Sequence, residues 1–148
     1  MPNPETMTPK QYLGQIRRLR ILIDQREREL DSLQAARFAG RGTDYGGTSG
    51  GGPHRGGAFF EWAVIASVDM ENETAALIER YNELRHTIIG QIQQLDRPEH
   101  MQVLYERYVE EKRWELIADE MGYSADYIRH LHGFALLDFA KIIKFNTQ

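Results

Sequence analysis

The sequence contains no cysteine. That excludes a disulfide framework and any thiolate metal site. No apolar run approaches the ~20 residues that a membrane-spanning helix needs. The opening Met1–Met7 stretch lacks the basic-then-apolar order of a secretory leader. A surplus of positive charge is also missing. The chain has 18 Lys and Arg against 22 Asp and Glu, for a formal charge of −4, which is awkward for a protein that would hold polyanions. These absences predict a soluble, cytoplasmic protein with no membrane partner. Its 148 residues suit one ordinary domain, or a small domain with an extension.

The most informative stretch is Trp114 to Leu136. Ile117 and Met121 are four apart and share one face of a helix. Ala118 lies between them, where two crossing helices would approach most closely. Gly122 suits a helix end that needs positive φ, and Ser124 suits the N-cap of the next helix. Ile128, Leu131 and Ala135 then form an inward stripe at steps of three and four. Small residue, glycine, cap and stripe fall at the offsets of a helix-turn-helix. A plain helical hairpin would pack in the same way, so the pattern itself leaves the outer face unassigned.

Thr8 and Pro9 open a long helix expected to run to about residue 39. Tyr12, Ile16, Leu19, Ile23, Leu30 and Leu33 recur in it at steps of three, four or seven, and Arg26 and Arg37 take seam positions. At 1.5 Å per residue it would span roughly 48 Å. One narrow stripe on so long a rod requires a partner. Half of the eighteen residues from Gly40 to Gly57 are glycine, so this segment is expected to be a disordered linker. No Walker-type lysine follows those glycines, which argues against a phosphate cradle. Arg41, His54 and Arg55 are too sparse for a nucleic-acid arm.

A second long helix is expected from about Phe59 or Trp62 to Leu95. Its start, Phe59–Val68, is apolar on most sides and should be covered by more than one neighbour. It then narrows to a stripe of Leu77, Ile78, Tyr81, Leu84, Ile88, Ile92 and Leu95. An eighteen-residue linker has a relaxed span of about 25 Å, so an antiparallel hairpin is preferred over parallel helices. Such a stalk could also pair with a second copy as a homodimer. Asp96 and Pro98 open a further helix carrying Met101, Leu104, Tyr105 and Tyr108, expected to pack on the helix-turn-helix. The last helix should continue through Phe134, Leu137, Ala140, Ile142 and Ile143. The fold class is thus all-α. Residues 8–95 form a hairpin stalk broken by linker 40–57, and residues 96–148 form a helix-turn-helix domain.

Other chemistry finds little footing. His130 and His132 are two apart, about 200° around a helix, and cannot share a metal ion. Glu106, Glu110, Glu111 and Glu115 read as a solvated face rather than as paired catalytic acids. No G-x-S-x-G turn displays a serine. The Phe59, Phe60 and Trp62 cluster reads as core or oligomer contact rather than a base-stacking platform. No enzyme, metal or cofactor is expected.

Residues 102–143 resemble the fourth, promoter-contacting region of bacterial sigma factors. The form is similar to that of phage and prophage sigma-like regulators of the ArpU and RinA late-gene activator type. The segments carrying the resemblance are Leu104-Tyr-Glu-Arg-Tyr108, Tyr123-Ser124, and Leu131-His132-Gly133 with Ala135-Leu136. The glycine-rich interruption of an N-terminal coiled coil is a looser point of similarity. The resemblance implies binding of double-stranded DNA to control phage gene expression in a bacterial host, with contact to RNA polymerase. It also carries departures. Ala125, Asp126, Phe134 and Asp138 stand where the family has basic side chains. Residues 96–148 hold 7 Lys and Arg against 10 Asp and Glu, a net of −3.

On the second motif helix, Ser124, Ala125, Asp126, Arg129, His130 and Gly133 lie away from the inward stripe. Arg129 can bond guanine through two N–H groups, and His130 can donate to a base or phosphate. Asp126 could accept from a cytosine amino group or repel phosphate, and Tyr127 could donate to a backbone oxygen. Lys112 and Arg113 precede the first motif helix and are candidate phosphate contacts, with a solvated loop as the plain alternative. Two other functions fit the same pattern. One is a module that grips RNA polymerase or a phage protein without DNA. The other is a small-terminase-like subunit that recognises DNA for packaging.

Overall fold

The structure is a computed structural model that describes residues 6–42 and 55–146. Among them there are helices and no strands, so the architecture is all-α. The elements are α1 (Pro9–Leu13), α2 (Gln15–Gly42), α3 (Arg55–Ile92), α4 (Pro98–Leu104), α5 (Trp114–Met121) and α6 (Ala125–Asn146); α4 runs on into a π-helical turn, Tyr105–Val109. No described helix is long and apolar enough to cross a membrane.

Local chemistry explains most boundaries. Thr8 caps α1 reciprocally: its Oγ1 accepts from the Gln11 N–H (3.2 Å), and the Gln11 side chain accepts from the Thr8 N–H (3.1 Å). Gly14, at φ −68°, separates α1 from α2, so the first rod is two helices rather than one. At the next boundary Arg97, not Asp96, is the N-cap of α4, and no side chain bonds the free N–H groups there. Pro98 needs no partner for its nitrogen at that position.

The glycine-rich segment differs from expectation at its edges. α2 continues to Gly42 and α3 begins at Arg55, so helix takes residues assigned to the linker. The centre of that segment, 43–54 and with it His54, lies outside the described residues, as do residues 1–5.

Packing divides the chain into two units: residues up to Leu19 with those from Tyr81 onward, and Arg20–Arg80. This differs from a boundary at residue 96, because both ends of the expected stalk share a core with the C-terminal helices. In that first unit Tyr12, Leu13 and Ile16 of α1–α2 and Ile88, Ile92 and Leu95 at the end of α3 are buried with Val103, Leu104, Ile117, Ile128 and Phe139. Tyr12 is fixed in this core at both ends. Its hydroxyl donates to Gln91 Oε1 (2.8 Å), and its ring lies 6.1 Å from that of Phe139.

In the second unit the core is thin. Ile23 of α2 and Ala63, Ser67 and Thr74 of α3 are buried. The Ser67 hydroxyl donates to the Ala63 carbonyl, one turn back (2.6 Å), which satisfies it without a partner helix. Arg26, at its seam position, pairs with Glu29 (3.8 Å) on its own helix and with Glu73 (3.9 Å) on α3. Gln34 donates to Glu71 (3.4 Å). The apolar start of α3 is not covered as the sequence suggests: Phe59, Trp62, Ile65 and Val68 are 51%, 57%, 63% and 48% exposed.

Candidate nucleic-acid interface

The candidate interface is the N-terminal half of α6, and the turn before it sets its direction. Gly122 ends α5 in the left-handed region (φ 75°). Its N–H donates to Asp119 O (3.3 Å), and the Tyr123 N–H donates to Ala118 O (2.9 Å). This Schellman pair satisfies the last carbonyls of α5. Ser124 then caps α6, its Oγ accepting from the Tyr127 N–H (3.2 Å). Ile128, Leu131 and Ala135 are buried, with Ile117 and Ala118 of α5 buried in the same core. Phe139 extends that inward face; Phe134 and Leu137, 61% and 64% exposed, do not.

Ser124, Asp126, Tyr127, Arg129 and His130 are exposed, and Ala125 is half-buried. Arg129 and Asp126 are paired at 3.4 Å, both largely in solvent. An exposed pair at that distance is weak, so the guanidinium can turn to another acceptor. The Nδ1–H of His130 donates to the Asp126 carbonyl one turn back (2.8 Å), so Nε2 is not used in that bond. Tyr127 rests on Tyr123 (4.6 Å between rings), and Tyr123 donates to Glu99 (2.7 Å). That bond, together with the Glu99 charge, pushes the Tyr123 hydroxyl pKa up.

Lys112 and Arg113 separate. Arg113 is exposed at the N-cap of α5. The Lys112 ammonium is held by Glu120 (2.7 Å) and Glu110 (2.8 Å), with Glu106 at 3.7 Å. The hydrogen bonds it donates to Glu110 and Glu120 raise its pKa, so it stays charged. One cation among three carboxylates offers phosphate little net attraction. Burial raises the pKa of Glu106, whose Oε2 is buried without a hydrogen-bond partner.

Two contacts that hold α6 in place were not foreseen. His100 of α4 is buried, and its Nδ1 lies 2.6 Å from Asp138 Oδ2 on α6. Thirty-eight residues separate the pair, so no local pattern links them. The second is a cluster around His132. The Tyr108 hydroxyl lies 2.7 Å from its Nε2, the Tyr108 ring stacks on it at 5.6 Å, and Trp114 meets it edge-on at 4.6 Å. Arg107 lies over Trp114 at 4.3 Å. Burial, with lesser help from Lys10 and Arg107, lowers the His132 pKa to about 4, while burial raises that of Tyr108 to about 12. Both are neutral near pH 7, with Tyr108 as the donor. The signal for this site was position: His132 lies four residues after Ile128, on the inward side.

Beside α6 a cleft of about 530 Å³ is lined by Arg97, His100, His130, Phe134, Leu137 and Lys141 among others. Its lining mixes charged and polar side chains with the apolar Leu131, Phe134 and Leu137. No group of three or more His, Cys, Asp or Glu among the described residues could hold a metal ion. No family model, curated protein or solved structure matches the chain.

Proposed function

We propose that the chain is a sequence-specific DNA-binding transcription regulator of phage or prophage origin, acting with RNA polymerase in a bacterial cytoplasm and catalysing no reaction. In this reading α5 and α6 form a sigma region 4-like helix-turn-helix, and α2 and α3 form an antiparallel coiled-coil stalk. The observation that carries it is the presentation of α6. A left-handed glycine turn and a serine cap lead into a helix whose inner side is anchored by Ile128, Leu131 and Ala135. Its first two turns offer Arg129 and His130 to solvent. That is the geometry a major-groove helix needs. With Lys112 neutralised and Asp126 beside Arg129, phosphate attraction is small, so affinity must come from few base contacts and a helper protein.

The test is a salt titration of full-length protein against a pool of random duplexes, followed by selection. Binding should be measurable at low salt and should be lost in Arg129→Ala/His130→Ala. Arg113→Ala should lower the slope of log K against log salt by about one. Absence of binding at low salt in wild type and variants alike would sink this reading.

A second reading is favoured by one observation: Tyr127, Phe134 and Leu137 expose a large apolar surface on α6 beside the cleft. An apolar surface rimmed by charge suits protein contact better than phosphate. The chain would then grip RNA polymerase without DNA. Purified polymerase that binds the wild type in nuclease-treated solution, and not Phe134→Asp, would support it.

A further inference from the structure

We infer that the α2–α3 unit assembles with further copies of this chain head-to-tail, the outer stripe of α2 in one copy lying on the outer stripe of α3 in the next. The inference goes beyond the DNA reading and uses none of its residues. On α2, Ile21, Gln25, Arg28, Ser32 and Ala35 are all exposed and spaced four, three, four and three apart. On α3, Trp62, Ile65, Asp69, Asn72 and Ala76 are all exposed and spaced three, four, three and four. Both stripes carry the spacing of a coiled-coil seam. Yet each is displaced by two residues, roughly 200°, from the position its own helix buries, Ile23 on α2 and Ser67 on α3. Each helix therefore has a second seam turned away from the one inside the unit.

The two stripes fit each other. Laid antiparallel with α3 read backwards, they have identical steps, so one register aligns every position. In that register Ile21 faces Ala76, Gln25 faces Asn72, Arg28 faces Asp69, Ser32 faces Ile65, and Ala35 faces Trp62. Each large apolar residue meets a small one, amide meets amide, and cation meets anion at the centre. Among the described residues neither Arg28 nor Asp69 has an ion-pair partner within the chain. Trp62 and Ile65, 57% and 63% exposed, are large apolar groups that a solitary helix would hydrate at a cost. Pairing α2 with α2 would set Arg28 near Arg28, and pairing α3 with α3 would crowd Asp69 and the neighbouring acids, so like-with-like contact is disfavoured. Because the two stripes differ and point away from each other, the contact is heterologous. Copies add at both sides until a ring closes or a filament continues.

The experiment is the mass of the full chain by light scattering and native mass spectrometry, without DNA, up to about 100 µM. Wild type should exceed two chains. Arg28→Glu and Asp69→Arg should each weaken association roughly tenfold, and the double swap should restore it, since every contact then carries the reversed pair. Trp62→Glu/Ile65→Glu should give single chains of unchanged helical content. If that variant loses its helices, the charge-swap series decides alone. A single-chain wild type at every concentration overturns the inference. So does an assembly indifferent to all of these substitutions, or one that the double swap fails to restore. The readout contains no nucleic acid, so failure here leaves the DNA proposal untouched, and the reverse also holds.

Discussion

The Tyr108 hydroxyl stands 2.7 Å from Nε2 of His132, and the two rings stack at 5.6 Å. The bond ties the π-helical turn after α4 to the middle of α6 and requires a neutral imidazole. Burial first, and the nearby Lys10 and Arg107 charges second, hold the His132 pKa at about 4. The ordinary histidine value is about 6.5, so the unfolded chain takes up this proton before the folded one does. Stability should therefore be complete above about pH 6.5 and fall as pH drops toward 4, by about 1–2 kcal/mol once partial hydration of the ring is allowed for. Urea melts at pH 7 and pH 4.5 would measure this. His132→Phe should be less stable at pH 7 and show a smaller acid loss.

Gly122 sits at φ 75°, and a Cβ there would meet nothing within 4 Å. Conformation, not space, is what requires glycine. Gly122→Ala should cost about 1 kcal/mol, and Ser124→Ala a similar amount through the lost cap. Thermal melts would show both. The two losses should add only partly, because the residues set one turn.

Phe134 and Phe139 make a matched comparison on α6. Phe139 is fully buried and Phe134 is 61% exposed. Phe139→Ala should cost about 3–5 kcal/mol, and Phe134→Ala less than about 0.5 kcal/mol. Equal losses would mean that α6 is rotated from the position described.

Lys112 neutralises carboxylates on both sides of the loop before α5. Lys112→Ala should lower the melting temperature, because Glu106 keeps a buried oxygen with less compensation. It should leave the salt dependence of any DNA binding unchanged. Arg113→Ala should do the opposite: change the salt slope and spare the melting temperature.

The sequence carried the local features well. Thr8, Gly122 and Ser124 act through bonds to residues within five positions, and such bonds depend on few other coordinates. The inward phase of α6 was readable from Ile128, Leu131 and Ala135. It was not followed to Phe139, since Phe134 and Leu137 are equally apolar and only their neighbours decide which turn inward. The same holds for Phe59–Val68. Hydrophobicity gives the cost of exposure but not the identity of the covering partner. Lys112 reads from sequence as a candidate phosphate contact or a solvated loop residue, because Glu120, eight residues on, reaches it only after the chain has turned into α5. The His100–Asp138 pair depends wholly on tertiary placement.

The Tyr12–Phe139 contact has a consequence for how the chain is made. A ribosome releases residue 12 long before residue 139, so the earliest helix waits, unburied, for nearly all of the remaining polypeptide. The unit that joins the first helices to residues from Tyr81 onward cannot close co-translationally in order of synthesis. A fragment beginning near residue 96 would emerge with Val103, Leu104 and Phe139 lacking their wall. Supplying the first nineteen residues and the end of α3 in trans should be what rescues it.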